Sequence, residues 1–208
     1  LGLVIGTRFW VNRVLDRHDA AEDRPDNAQQ VARELLDRHG LYAVGVERTD
    51  LGDHYDPDAG MVRLSARTFD STSLTAITVT AHEVAHAQQH ASGYPLFLWR
   101  NRLARVAQVT SVAGTVLVVA VPLAFLATGR RLPTALLSSA ALGVLGTGTA
   151  TQLAAVPTEL DASFRRAMPM LRQGYISEEQ LEDAKSILFA CSMTYAAASF
   201  AGILHVLP

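Results

Sequence analysis

The stretch Thr78–His90 reads Thr-Val-Thr-Ala-His-Glu-Val-Ala-His-Ala-Gln-Gln-His and contains the pattern His-Glu-x-x-His. His82 and His86 are four residues apart, so on an α-helix they lie one turn apart on the same face. Their ring nitrogens can then converge on one metal ion, and neutral imidazole is a good zinc ligand. Glu83 follows the first histidine, where its carboxylate can take a proton from metal-bound water. The stretch therefore predicts a zinc site on a helix, with Glu83 as its general base.

The alternative interpretation is a buried helix whose histidines are incidental. We expect the helix to pack on most of its sides, because its apolar residues are spread around it. These residues are Leu74, Ile77, Val79, Ala81, Val84 and Ala85. A carboxylate such as that of Glu83 is costly to ionise inside such a helix unless a cation partners it. A zinc ion supplies that cation, so the composition of the helix favours the metal site.

The residues that follow the motif do not supply a third ligand. The longer motif that adds a Gly and a third His is absent, because Gln89 and Ser92 occupy those positions. A ligand pair of His86 and His90 would lack a base, because Ala87 follows His86. We therefore interpret His90 as a structural residue. The third ligand is expected to come from elsewhere in the chain.

Two carboxylates further along the chain, Glu159 and Asp161, are the candidates for that ligand. Two residues on a helix are about 200° apart around its axis, so both cannot face one ion. Asp161 has Arg165 four residues on, the spacing of an ion pair. Glu159 has the small residues Ala162 and Ser163 on its own face, which favours close packing against the motif helix. We therefore predict Glu159 as the ligand, with Asp161 available to orient a ligand histidine.

Turn and capping residues divide the rest of the chain into short elements. The predicted elements are a helix opened by a capping box of Asp26 and Gln29 and ended at Gly40, a strand at Leu41–Arg48, a loop at Asp50–Gly60, a strand at Met61–Leu64, the motif helix at Ser71–Ala91, and a last helix from Glu178, capped by Ser177 and Gln180. The small strands and the motif helix together predict an α+β catalytic part.

A strand beside an active-site helix is a common place for an extended peptide to bind as an added strand. Here that strand is Met61–Ser65, and the alternative is that it forms an ordinary edge of a small sheet. His54, Tyr55 and Tyr195 are candidates for a second group that stabilises the oxygen of the scissile carbonyl. The sequence assigns this role to none of them.

Three long stretches carry no Asp, Glu, Lys or Arg: Val106–Thr128, Leu132–Thr158 and Ser186–Pro208. A helix of about 23 residues is about 34 Å long, which is enough to cross a hydrocarbon core of about 30 Å. We therefore predict a transmembrane hairpin and a C-terminal transmembrane helix, the alternative being helices buried in a large soluble core. Leu1–Trp10 looks like the end of a further span.

Basic residues near the ends of these predicted spans indicate how the protein is oriented in the membrane. Arg100, Arg102 and Arg105 precede the first span and are interpreted as a cationic collar at the membrane surface. The hairpin Gly129–Pro133 contains only two arginines. The excess of basic residues on the other side of the spans predicts that the catalytic side faces the cytoplasm.

Charge and cysteine content exclude other classes of function. The net charge is -2, so there is no basic field and nucleic acid is not an expected partner. The single cysteine, Cys191, provides neither a disulfide framework nor a cysteine cluster for a metal.

The chain resembles the YugP-like neutral zinc metallopeptidases of bacterial membranes, which are distantly similar to HtpX-like proteases. The residues that carry the resemblance are Asp53–Pro57, Val62–Ser65, Ala81–Ala87 with Gln89 and His90, Pro157, Glu159 with Asp161–Ser163, Leu181–Ala184, and Thr194 with Tyr195. The resemblance implies a membrane-embedded zinc protease whose third ligand is Glu159, on a later helix. Ala85 stands where Gly is usual, and Thr158 and Leu160 replace Val and Phe.

These interpretations predict a mainly α membrane protein. It would have a zincin-like α+β catalytic part with a small sheet and the motif helix, joined to a transmembrane hairpin and a C-terminal transmembrane helix. The predicted divisions are an N-terminal remnant (1–25), the catalytic part (26–105), the hairpin (106–156), the third-ligand helix and connector (157–185) and the last span (186–208).

The predicted function is zinc-dependent hydrolysis of peptide bonds. His82, His86 and Glu159 would bind zinc, and Glu83 would act as the general base on zinc-bound water. The expected partners are a protein or peptide substrate and the lipid bilayer, in a multi-pass protein of the bacterial cell membrane. The alternative is a membrane scaffold or binding protein with a structural zinc site, although such sites usually have four protein ligands and favour cysteine.

Overall fold

The computed structural model describes residues 2–128, 135–136, 138–139, 143 and 155–204. Its elements, in chain order, are α1 (Gly2–Arg17), α2 (Ala28–Arg38), β1 (Gly45–Thr49), β2 (His54–Asp56), β3 (Met61–Ser65), α3 (Ala66–Phe69), α4 (Leu74–Ala91), α5 (Pro95–Thr128), α6 (155–160), a π-helix (Asp161–Ala167), α7 (Met168–Leu171) and α8 (Leu181–Leu204). The described protein is mainly helical and contains one small sheet.

Helix α4 carries the His-Glu-x-x-His motif through the centre of the described fold, and nearly all of its 18 residues are buried. It begins after Ser73, whose hydroxyl accepts a hydrogen bond from a first-turn amide at 3.1 Å. It ends where Gly93 adopts a φ of +64° and Tyr94 donates to the carbonyl of Gln89 at 2.9 Å. The predicted end of the helix is confirmed, and its start is later than predicted because Ser73 is the cap.

The core consists of apolar side chains from α2, β3, α4, the π-helix, α7 and α8. The largest fully buried ones are Leu35, Leu36, Val62, Leu64, Ile77, Met170, Leu171, Ile187 and Leu188. Burying one such side chain stabilises the fold by about 1.5–3 kcal/mol relative to leaving it in water. The helices that surround the motif are therefore fixed to one another by this packing.

Helix α2 begins one residue later than the sequence predicted. The capping box is formed by Asn27 and Gln30: the Gln30 amide donates to Asn27 Oδ1 at 3.1 Å, and the Asn27 amide donates to Gln30 Oε1 at 2.9 Å. The predicted pair of Asp26 and Gln29 has the same spacing, so spacing alone could not distinguish the two. The end at Gly40 is confirmed, where φ is +71°.

The sheet has the strand order β1-β3-β2, with β1 parallel and β2 antiparallel to β3. The central strand β3 is tied to both neighbours by one side chain. Arg63 donates to Glu47 Oε1 of β1 and to Asp56 Oδ2 of β2, each at 2.5 Å. This arrangement fixes the short edge strand β2 in the sheet.

Two predictions about the sheet were wrong. Met61–Ser65 is the central strand, paired with β1 along its whole length and with β2 along Met61–Arg63, so it is not an edge to which a peptide can add as a further strand. The segment Asp50–Gly60 was predicted to be a loop, yet it contains β2. Its turn-forming residues flank a three-residue strand that tertiary pairing with β3 stabilises. Strand β1 begins at Gly45, later than the predicted Leu41–Arg48.

The prediction of transmembrane helices was also wrong. Within the residues that the structure describes, no helix is both long enough and apolar enough to cross a membrane. The prediction depended on the absence of charged side chains, and that is a weaker property than apolar composition. Helices α5 and α8 both begin before the predicted uncharged stretches and include charged residues there, among them Arg100 and Arg102 in α5 and Glu182 and Asp183 in α8.

Part of that prediction falls on residues that are not described. The hairpin turn Gly129–Pro133 and most of Leu132–Thr158 lie outside the described ranges. The assignment of the catalytic side to the cytoplasm depended on the spans, and it is withdrawn with them.

Candidate metal centre

Two histidines of α4 and one glutamate of α6 meet in the interior of the described fold. The Nε2 atoms of His82 and His86 are 3.2 Å apart. Glu159 Oε2 lies 3.1 Å from His82 Nε2 and 3.3 Å from His86 Nε2. All three side chains are buried. The fold thus brings together the three residues that the sequence predicted as metal ligands, although 77 positions separate His82 from Glu159.

These three atoms fit a zinc ion. Zinc binds imidazole nitrogen and carboxylate oxygen at about 2.0–2.2 Å in tetrahedral geometry, which separates any two ligand atoms by about 3.3–3.6 Å. The observed separations of 3.1, 3.2 and 3.3 Å are close to that spacing. Two imidazoles and one carboxylate, with a fourth position left free, form the donor set of a catalytic zinc site.

The side-chain amide of Gln89 determines which nitrogen of His86 faces the metal position. Gln89 Nε2 donates to the carbonyl oxygen of Thr158 at 2.8 Å and to Asp161 Oδ2 at 2.9 Å. Both partners are acceptors, so the amide nitrogen must face them and Oε1 must face His86 Nδ1, 3.0 Å away. His86 therefore donates through Nδ1 and keeps the lone pair of Nε2 free for a metal.

His82 has a similar partner in Ser163. Ser163 Oγ lies 3.1 Å from His82 Nδ1 and 3.2 Å from the carbonyl oxygen of Leu188. The Ser163 hydroxyl donates a hydrogen bond to the Leu188 carbonyl, which lets the serine oxygen accept one from Nδ1 of His82. Ser192 Oγ, at 2.9 Å from Ser163 Oγ, joins the same cluster. Both histidines are thus held with Nε2 directed toward the metal position.

The helix that carries Glu159 widens directly after it into the π-helix. Asp161 Oδ2 accepts a hydrogen bond from Arg166 Nε at 2.7 Å, five residues on. The sequence predicted a pair with Arg165, four residues on, and that prediction was wrong because the wider turn of a π-helix brings i and i+5 together. Asp161 contacts Gln89 and not a histidine, so it acts on His86 through that amide.

The two oxygens of Glu159 have different partners. Oε2 faces the two histidines, whereas Oε1 accepts a hydrogen bond from Arg100 NH1 at 2.5 Å. Burial by itself raises the pKa of Glu159, but the charges and hydrogen bonds of His86 and His82 outweigh it and hold that pKa well below its usual range.

Glu83 is buried beside His82, as the sequence predicted for a base. The pKa of Glu83 is raised to about 7, chiefly by burial; the charge of His82 lowers it, and the carboxylates of Glu159 and Asp53 raise it. A hydrogen bond from the backbone amide of Tyr55 also lowers it. Strand β2 therefore runs next to the carboxylate of Glu83.

Two other sequence candidates, His54 and Tyr55, have side chains that bond outside the cluster of ligands. Tyr55 Oη is 2.9 Å from His90 Nδ1, and the His90 ring lies 5.6 Å from that of Phe97. His54 Nδ1 is 2.8 Å from the carbonyl oxygen of Gly52. The side chain of Tyr195 is outside the described part of the structure.

The sequence did not predict that three further residues, Gln89, Ser163 and Arg100, lie around the ligands. Gln89 could have been found, because it lies three residues after His86 and therefore on the same helical face. Ser163 was noted only for its small size, and it contacts His82 across the helix interface. Arg100 was interpreted as part of a membrane collar, and no local pattern indicates that it points to Glu159.

The fold and the cluster define a helical protein with a zinc-type centre of two histidines and one glutamate. The chain belongs to the family described as "Putative neutral zinc metallopeptidase", whose model matches residues 1–208. It is 31% identical over 210 residues to the "Putative membrane protease YugP" of Bacillus subtilis (strain 168), with 100% of this chain and 90% of the relative covered. No solved structure matches the chain. The resemblance inferred from sequence is confirmed, and zinc is the metal of the family.

The role of Gln89 can be tested by zinc affinity. Gln89→Ala should raise the zinc dissociation constant about 10–100-fold, because His86 loses the acceptor that fixes its tautomer. Gln29→Ala, at a partly exposed position of α2, is the matched control and should bind zinc as the wild type does. Competition with a chromogenic chelator measures both. Equal affinity of Gln89→Ala and wild type would show that the amide does not orient His86.

Proposed function

We propose that this chain is a zinc-dependent endopeptidase of the gluzincin type. His82, His86 and Glu159 hold the metal, and Glu83 is the general base. The observation that carries the proposal is the buried cluster whose three donor atoms lie 3.1–3.3 Å apart, with Glu83 next to one of them. Membership in a family of zinc metallopeptidases supports it.

The zinc ligands and Glu83 have different roles in the proposed hydrolysis. Zinc, when bound, acts as a Lewis acid toward the scissile carbonyl and lowers the pKa of water to about 7. Glu83 takes a proton from the attacking water and passes it to the leaving amine. A general base works best when its pKa is near the working pH, and burial raises the pKa of Glu83 to about 7. One carboxyl group thus serves as base and then as acid.

The edge strand β2 is the best candidate for binding the substrate backbone. The strand order leaves β1 and β2 at the edges of the sheet, so only these strands can accept an extended peptide. The backbone amide of Tyr55 in β2 is bonded to Glu83, so this amide faces the base and not the sheet. A peptide lying along β2 would therefore place its scissile bond beside Glu83.

A purely structural zinc site is the less favoured alternative. Structural sites are usually closed by four protein ligands. Within the described residues, only His82, His86 and Glu159 gather as potential metal ligands at this position. The buried carboxylate of Glu83 beside them would have no purpose in a closed site and would raise its electrostatic cost.

The function of Glu83 can be separated from its effect on metal binding. Glu83→Gln should retain zinc but lose cleavage of denatured casein by about 10²–10⁴-fold, because the amide cannot accept a proton. Glu182→Gln makes the same change at an exposed position and should cleave as the wild type does. Casein cleavage and zinc content are measured on the same samples. Unchanged cleavage by Glu83→Gln would remove this residue from the mechanism.

The identity of the third ligand has its own test. Glu159→Ala should lose zinc during dialysis against a weak chelator, because only the two histidines remain. Asp161→Asn should largely keep zinc, because an asparagine oxygen can still accept from Gln89 and Arg166. Zinc content per protein after dialysis distinguishes the two. The reverse result would assign the ligand to Asp161.

We also propose that the protein associates with membranes. The name of the relative contains the word membrane, and α5 exposes several large apolar side chains: Val106, Val116, Leu123, Phe125 and Leu126. Large exposed apolar surfaces mark sites that bind membranes or other proteins.

Cosedimentation with phospholipid vesicles tests this association. The double variant Leu123→Ser/Leu126→Ser should weaken vesicle binding by about tenfold or more, because two apolar side chains no longer enter the lipid. Leu51→Ser removes a similarly exposed leucine from a distant loop and should have no effect. If neither variant changes vesicle binding, α5 does not contact the membrane.

A further inference from the structure

We propose that Arg100 is a positioning residue that makes Glu159 a one-oxygen ligand of the zinc. This inference rests on the proposed metal site and adds a residue that belongs neither to the His-Glu-x-x-His motif nor to the helix of the third ligand. Arg100 is in the first turns of α5, the helix that follows the motif helix in the chain.

The geometry separates the two oxygens of the Glu159 carboxylate. Oε1 receives a hydrogen bond from Arg100 NH1 at 2.5 Å, and Oε2 faces the Nε2 atoms of His82 and His86 at 3.1 and 3.3 Å. The Glu159 side chain has no exposed surface, so water does not compete for either oxygen. A charge-assisted hydrogen bond of this kind is among the strongest that a carboxylate makes.

Arg100 is itself held in place by packing. Its guanidinium carbon lies 5.6 Å from the centre of the Phe97 ring, a distance at which the cation is attracted to the ring face. Phe97 is buried, and its ring lies 6.0 Å from that of the ligand His86. The arginine therefore approaches Glu159 from a fixed direction, and the same phenyl ring contacts both the arginine and a ligand histidine.

This contact matters because a carboxylate can bind zinc through one oxygen or through both. If both oxygens of Glu159 bound, the second would take up coordination space that the attacking water needs. By holding Oε1, Arg100 leaves Oε2 as the single donor and keeps the fourth position free. A merely structural ion pair would stabilise the buried carboxylate without any effect on the number of atoms bound to the metal.

The test is the visible spectrum of the Co²⁺-substituted protein. Absorption by Co²⁺ weakens as coordination increases from four to five, because the higher-coordinate site is closer to having a centre of symmetry. Arg100→Gln should fold and bind Co²⁺ but absorb more weakly than the wild type. In the zinc form its kcat should fall about 10–100-fold, with KM nearly unchanged.

Arg102→Gln is the matched control, because it removes the same charge from an exposed position of the same helix. Its spectrum and kinetics should equal those of the wild type. Arg100→Met keeps an apolar stem against Phe97, and it replaces Arg100→Gln if that variant does not fold. A wild-type Co²⁺ spectrum in the folded Arg100 variant would overturn the proposal. Lack of peptidase activity in the wild-type protein would reject the proposed function instead, since the spectrum does not depend on cleavage.

Discussion

The described fold has to compensate for the free-energy cost of placing two carboxylates, those of Glu83 and Glu159, inside a helical core. An unpaired buried carboxylate costs several kcal/mol, which is a large part of the stability of a domain this size. The surroundings of Glu159 meet that cost with two histidines and Arg100. Glu83 has weaker partners, so part of the free-energy cost of burying its charge is not compensated, and its pKa is raised. The same imbalance that destabilises Glu83 as an anion makes it a good proton acceptor.

A few polar side chains fix the positions of His82 and His86 within this packed core. The amide of Gln89 bonds at once to a ligand histidine, to the backbone of α6 and to Asp161. It therefore fixes the tautomer of His86 and the distance between the two helices that carry the ligands. Ser163 connects His82 to α8 in a comparable way. The neighbours of Gln89 and Ser163 determine which of their atoms donate and which accept, so the site has little freedom to rearrange.

The sequence predicted those parts of the site that depend on local spacing. The spacing of four residues from His82 to His86 places both on one helical face, so the motif helix and the convergence of its two histidines could be predicted. The pairing of Asp161 with Arg166 could not, because a π-helix has no sequence pattern that distinguishes it from an α-helix. The strand at His54–Asp56 is too short to be stable without its neighbour β3, so its own residues favour a loop. Absence of charge proved a poor guide to membrane spans.

The order of the ligands along the chain has a consequence for biosynthesis. The histidines and Glu83 leave the ribosome well before Glu159, which follows His82 by 77 positions, and Ser192 comes later still. A nascent chain of intermediate length therefore contains His82, Glu83 and His86 but lacks Glu159 and the serines that adjoin His82. The metal centre is complete only after the C-terminal helices have docked on α4. Synthesis thus delays the assembly of this centre until the helices that carry Glu159 and Ser192 have been made.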